Sequence, residues 1–388
     1  VVLLAAAPAT AGAADGPQLP AGAWILVDGG DDQVLAAQRP NEERAIASTT
    51  KLMTAYAARR DLPLGKTVVA PAYTPSVAES LLGLEAGERI KVRDLLYGLL
   101  LVSGNDAAEA LAQDSAGTEA AFVREMNRAA QQLGLEHTSY ANPIGLDEVG
   151  NYSSAHDLVE LAMRLRSDPF FRRVFDTAQT VIRSGAHPRS IVNRNTLVRM
   201  LPWVNGVKTG YTLDAGYVLV ASGTRKGVTL YSAVLGTSSE SERDAASEQL
   251  LDYGFSLYHR RSIIGGGQPL GSPALRYQDT DLPLEAARPV RLTVREGQRV
   301  ATRVSAPDEV EGPIDAGQRL GRAVVTVDGE RRAAVPLLAG SAAPKASLAQ
   351  RVDTAIPGSR AAAWLLLIAV IAIVLIGAVA VVGRARRR

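Results

Sequence analysis

Trp203–Ser222 reads WVNGVKTGYTLDAGYVLVAS. Its second half, Gly216–Ser222, is rich in β-favouring residues, and Val228–Leu235 (VTLYSAVL) repeats that character after a short polar break. Both neighbours of this strand region have helical patterns. Downstream lies Ser241–Tyr258. Upstream come a helix beginning at Ser48, then Asp94–Gln113 with a break at Ser103-Gly104, then Glu119–Leu133 and Ala155–Arg166. Ser154-x-x-Asp157 has the form of a capping box for the last of these. Near the N-terminus, Ala23–Val27 and Val34–Ala37 flank Asp28-Gly29-Gly30-Asp31, which predicts a hairpin. Helices enclosed between strand regions give an α+β domain of roughly 240 residues.

Composition narrows the chemistry. Of 388 residues, 47% are hydrophobic but only 5% aromatic, so the core rests on Leu, Val, Ile and Ala. There is no cysteine, which excludes disulfides, a thiol nucleophile and Cys-built metal sites. The four histidines (His137, His156, His187, His259) never stand three or four apart, which argues against a His-based metal site, and no cofactor is expected. Lys and Arg total 42 against 40 Asp and Glu, and Arg384, Arg386, Arg387 and Arg388 account for the excess. The body is close to neutral, and nucleic acid is not an expected partner. Six of the basic residues are lysine: Lys51, Lys66, Lys91, Lys208, Lys226 and Lys345. Lysine can be driven neutral by its surroundings, whereas arginine cannot.

The two ends suggest a location. Residues 1–14 end in small residues, with Ala11-Gly12-Ala13 as a cleavage motif, and resemble the remnant of a signal peptide. Ala361–Gly383 is 23 residues without a charge. A helix of that length, at ~1.5 Å per residue, covers the ~30 Å hydrocarbon core of a bilayer. Residues 384–388 (RARRR) then form a basic tail expected on the cytoplasmic side. The expectation is a single-pass protein of the cell membrane with its body extracytoplasmic. Between the ends, Gly265-Gly266-Gly267 and Pro269 mark a linker. It separates a domain at 22–262 from a small all-β domain at 268–338. There Val290, Leu292 and Val294 alternate with polar residues, and Asp328-Gly329 signals a hairpin. Residues 339–360, rich in Ala, Ser and Pro, are expected to be a tether.

Three short motifs can carry chemistry. In Ser48-Thr49-Thr50-Lys51, a helical turn brings the Lys51 amine to the Ser48 hydroxyl. A hydroxyl is a poor nucleophile until a base takes its proton, and Lys51 serves as that base only if burial or a second cation lowers its pKa by ~3 units. Ser48 as a helix cap beside a solvated lysine is the structural alternative. Ser103-Gly104-Asn105 interrupts an apolar helical stretch. It reads either as an ordinary turn or as a hydroxyl that relays protons beside an amide that holds a substrate amide. Lys208-Thr209-Gly210 opens the strand region. An edge strand there can pair with an extended peptide, Gly210 allows close approach, and Lys208 and Thr209 offer a cation and a hydroxyl to an anionic substrate. Alternatively Lys208 guards an exposed edge.

Together the motifs weigh more than singly. S-x-x-K, S-x-N and K-T-G follow in that order, 55 and then 105 residues apart. With S-D-N in the middle, the trio is shared by class A β-lactamases and penicillin-binding proteins. The chain resembles the D-alanyl-D-alanine carboxypeptidases, the low-molecular-mass penicillin-binding proteins. The likeness runs from about Ala23 to Tyr258 through IASTTKLMT, GERIKVRDLLYGLLLVSGNDAA, NPIGL, NRNTL and GVKTGYTLDAGYVLVA.

The resemblance implies a β-lactamase/transpeptidase-like fold and removal of the terminal D-alanine from peptidoglycan stem pentapeptides. It makes Ser48 the acylated nucleophile, Lys51 its base, and Ser103 and Asn105 the opposite wall. Lys208, Thr209 and Gly210 would hold the substrate strand and its carboxylate, with Arg243 a further carboxylate contact. The oxyanion donors would be the N–H groups of Ser48 and Tyr211. β-Lactam antibiotics are implied covalent inhibitors. A D,D-endopeptidase and a non-catalytic penicillin-binding sensor are the alternative readings. No E-x-x-L-N motif is present, which argues against a class A β-lactamase. Tyr211 stands where some relatives carry His.

Overall fold

β1 (Ala23–Asp28) and β2 (Val34–Gln38) form the antiparallel hairpin that their apolar runs imply. The computed structural model describes residues 16–76, 79–355, 364 and 366–375; the expected signal remnant at 1–14 lies outside them. The chain divides into one unit ending at Leu257 and another beginning at Tyr258.

In the first unit, a 3-10 turn at Ala47–Thr50 leads into α1 (Lys51–Asp61). β3 (Thr67–Val69) pairs with β4 (Arg89–Lys91), and α2 (Val92–Tyr97) runs into a π-helical turn at Gly98–Val102. After the expected break, α3 (Asn105–Ala116), α4 (Glu119–Leu133), α5 (Ala155–Ser167) and α6 (Pro169–Phe175) build the helical part. β5 (Gln179–Ile182) pairs with β6 (Arg189–Val192). Then come α7 (Thr196–Met200), β7 (Val204–Thr212), β8 (Gly216–Arg225), β9 (Val228–Thr237) and α8 (Glu240–Ser256).

The main sheet is antiparallel in the order β2-β1-β9-β8-β7. Ile25, Val27, Val218, Val220 and Ala233 share a core with Leu52, Met53, Leu99, Leu158 and Phe175 from the helices. Against Leu26 and Leu230 lies α8, whose Gly254 comes so close that a Cβ would sit 2.5 Å from Leu230 Cδ1. Helices thus cover both faces, which explains strands that are apolar throughout rather than alternating. β7 lies at one end of the sheet order.

Two local expectations are corrected. The helix does not begin at Ser48: Ala47 has φ +49°, the first turn is 3-10, and the Ser48 side chain caps nothing. Ser154 does cap α5 by accepting from Asp157 N, but the Asp157 carboxylate turns to His137 N and Thr138 Oγ1 instead of closing a capping box.

The second unit is all-β through residue 339. Tyr258–Ile264 pairs with Val290–Arg295. A five-stranded sheet runs Pro269–Gly271, Leu284–Ala286, Glu330–Ala339, Arg319–Val327, Val300–Ser305. Its core holds Ile264, Leu284, Val290, Val325, Val335 and Leu337. Asp328 and Gly329 make the expected hairpin, with φ of +50° and +91°. The glycines at 265–267 form a turn inside this unit, between its first two strands, and not a border.

Of the expected tether at 339–360, residues 356–360 lie outside the described residues. Ala343 packs with Ile314, and Leu348–Ala355 is a helix whose first turn is capped reciprocally by Ser347 and Gln350. In the 361–383 run, residues 364 and 366–375 are helical and exposed, and the other positions lie outside the described residues. Among the described residues, no helix is long and apolar enough to cross a membrane.

Candidate active site

Ser48 sits half-buried in the 3-10 turn, directly before α1. One turn later Lys51 is fully buried, and its Nζ donates to Ser48 Oγ at 3.0 Å and to the backbone oxygen of Ile144. The solvated-lysine alternative therefore does not hold. Burial is the main force lowering the Lys51 pKa from 10.5 to about 7; Arg194 adds to the drop, while Glu79 and Asp106 oppose it. A large fraction of Lys51 is neutral near pH 7 and able to take the hydroxyl proton.

The loop at 142–146 holds this pair in place. Asn142 Oδ1 accepts from the backbone of Gly145 at 2.7 Å and of Ile144 and Leu146 at 3.3 Å, while Thr54 Oγ1 donates to Pro143 O at 2.6 Å. On the other side, β7 packs on the nucleophile turn. A Cβ on Gly210 would lie 2.9 Å from Ser48 N and 3.0 Å from Ala47 Cβ, so only glycine lets the strand approach this far.

Lys208 is also buried, and its Nζ donates to Thr209 O at 2.8 Å. Burial first, then Lys51, Arg194 and Arg243, push its pKa well below the usual lysine range. The two buried lysines and Arg243 thus share one electrostatic neighbourhood although they come from α1, β7 and α8. Arg243 is buried and bonded to Glu240 at 2.9 Å and to Asp244 at 2.7 Å, so the carboxylate contact expected of it begins from an already paired guanidinium. Thr209 is buried on β7 opposite Leu219. The Tyr211 ring is half-exposed and lies 4.3 Å from that of Tyr217.

Ser103 occupies the left-handed region at φ +64°, after the π-helical turn. Its buried hydroxyl takes no hydrogen bond from any described residue. Asn105 opens α3; its Nδ2 donates to Glu79 Oε2 at 2.7 Å, so one amide proton expected for the substrate is already used. Behind it the Asp106 carboxylate collects the backbone N–H groups of Leu82 and Gly83 at 2.8 Å, Leu84 at 2.9 Å and Ala107 at 2.9 Å. Arg189 clamps the same loop through a bidentate pair with Glu88, both bonds 2.7 Å, and through Gly83 O.

Glu79, Asp106, Asn142 and Arg194 are the site residues that motif reading passed over. Asn142 and Arg194 stand inside NPIGL and NRNTL, where an asparagine before proline and an arginine between asparagines were the available signals.

This geometry can be set beside known proteins. The peptidase S11 family, described as D-alanyl-D-alanine carboxypeptidase, matches residues 10–239. The chain belongs to that family. The C-terminal domain of penicillin-binding protein 5 matches residues 258–345. D-alanyl-D-alanine carboxypeptidase DacF of Bacillus subtilis is 33% identical over 325 residues, 81% of this chain and 84% of that protein. DacA of Escherichia coli K12 is 32% identical over 343 residues, 83% of each chain. Among solved structures, penicillin-binding protein 5 from Haemophilus influenzae is similar with a TM-score of 0.61 at 28% identity, covering 86% of this chain and all of that one. The Streptomyces K15 DD-transpeptidase is similar with a TM-score of 0.60 at 30% identity, covering 63% of this chain. The chain is a serine-type D-Ala-D-Ala carboxypeptidase.

Proposed function

We propose that this carboxypeptidase removes the terminal D-alanine of peptidoglycan stem pentapeptides through an acyl-enzyme on Ser48. The observation that carries the reading is the 3.0 Å bond from the buried, depressed-pKa Lys51 to Ser48 Oγ. Ser48 Oγ attacks the carbonyl carbon of the penultimate residue while Lys51 Nζ accepts its proton. Ser48 N–H and Tyr211 N–H stabilise the oxyanion. The C–N bond breaks, D-alanine leaves with a proton relayed by Ser103, and water then hydrolyses the ester. Thr209 and the cations Lys208 and Arg243 receive the terminal carboxylate, Asn105 a substrate amide, and Gly210 the substrate strand. β-Lactams enter the same site and acylate the same oxygen.

Incubating the enzyme with a stem pentapeptide and with a cross-linked dimer, followed by mass spectrometry, tests the reaction. Loss of one alanine from the pentapeptide alone supports it; cleavage of the dimer alone favours the endopeptidase.

The same proposal places the catalytic unit outside the cell, held by a single span at 361–383. Support comes from the charge-free length of that run and the arginines that follow it. Full-length protein should stay with membranes through high-salt and carbonate washes, and release by either would contradict the anchor.

A further inference from the structure

Glu79 has no part in the mechanism above, yet it is bonded into the site. Its Oε2 accepts from Asn105 Nδ2 at 2.7 Å and from the Tyr73 hydroxyl, and its Oε1 accepts from Ser76 N at 2.8 Å. The neighbouring backbone is tied to the same helix end, Asn105 N donating to Ser80 O at 2.8 Å. An asparagine amide carries two N–H donors on one nitrogen and acceptors only on its oxygen. With one N–H fixed on a carboxylate, the amide cannot exchange its two ends without losing a charge-assisted bond. Glu79 therefore selects the amide orientation that Asn105 presents.

The charge matters as well. The charged groups acting on Lys51 are Glu79, Arg194 ahead of α7 and Asp106 on α3; Lys51, Arg194 and Arg243 on α8 act in turn on Lys208 of β7. Asp106 is occupied by the loop it anchors. Burial works against ionisation of Glu79, but the hydrogen bonds from Asn105, Tyr73 and Ser76 outweigh it and hold its pKa at about 2. It is thus an anion at any working pH, and its charge acts on Lys51.

We propose that Glu79 is a positioning residue of this site, fixing the Asn105 amide for the substrate and serving as counter-ion to Lys51. This rests on the acyl-enzyme reading, so wild type must first form a penicillin adduct and trim the pentapeptide. Failure there counts against the reaction, not against Glu79.

The test compares wild type with Glu79→Gln and Glu79→Ala in pentapeptide kinetics and in penicillin acylation rate from pH 5 to 9. Gln keeps an acceptor for Asn105 but removes the charge. Lys51 then loses its proton more easily, and the acid limb of the acylation profile moves to lower pH by about half a unit or more, with KM little changed. Ala also frees the amide, adding a fall of about tenfold or more in kcat/KM, carried mainly by KM. A purely structural role would lower the melting temperature and leave the acid limb in place. The proposal is overturned if the Gln variant keeps the wild-type acid limb, or if a folded Ala variant keeps kcat/KM within about twofold. Should the Ala variant not fold, the limb of the Gln variant decides.

Discussion

Gly145 presses its backbone onto that of Ala47: a Cβ at Gly145 would lie 2.1 Å from Ala47 O and 3.0 Å from Ser48 N. Its φ of +86° adds a second barrier to any side chain. This contact seats the nucleophile turn on the loop whose Ile144 oxygen holds Lys51. Gly145→Ala should cut the penicillin acylation rate at least tenfold. Gly150→Ala is the control, since Gly150 has φ +89° but nothing within 4 Å of a new Cβ. That variant should lose only about 1 kcal/mol of stability, read by urea unfolding, and keep its acylation rate.

Lys51 should impose a pH dependence on both rate and stability. Acylation rises with pH through about 7 as the amine becomes neutral. Lys51→Arg should be nearly as inactive as Lys51→Ala, because a guanidinium keeps its proton. The folded pKa lies below the unfolded 10.5, so the folded state carries the full cost of a buried charge below about pH 7 and sheds it as pH rises toward 10.5. Lys51→Met should therefore melt higher than wild type below pH 7, with a gap that narrows above it. Thermal melts across that range check the sign.

Glu88 and Arg189 form a buried pair with 1% and 7% of their side chains exposed. Burial alone would raise the Glu88 pKa, but its bonds to Arg189 and to backbone N–H groups hold it below the usual carboxylate value. Arg189→Met strands that carboxylate and should cost about 3–5 kcal/mol in urea unfolding, while Arg189→Met with Glu88→Gln should recover much of the loss.

Much of this was legible in the chain because pattern and chemistry coincide. Asp28–Asp31 between two apolar runs gives the first hairpin, and Lys208-Thr209-Gly210 gives the strand against which Ser48 is set. What was not legible depends on tertiary contact. β3 and β4 are three residues each, too short to show an alternation. A helix near Ser48 is announced by the sequence, but the 3-10 geometry of its first turn, pressed against Gly145, is not. The domain expected at 22–262 takes in residues 258–262, whereas that strand pairs with Val290–Arg295, 32 residues on from its start. Glu79 lies outside every quoted motif, and only the fold brings it to Asn105, 26 positions along the chain.

The central claim is that Ser48 is the nucleophile and Lys51 its base. Intact-mass spectrometry after brief exposure to benzylpenicillin near neutral pH tests it most directly. Wild type should gain one adduct that clears slowly, since no deacylating glutamate motif is present. Ser48→Ala should gain none, and Lys51→Arg almost none in the same time. An adduct of equal yield in Ser48→Ala, or rapid labelling of Lys51→Arg, would contradict the account.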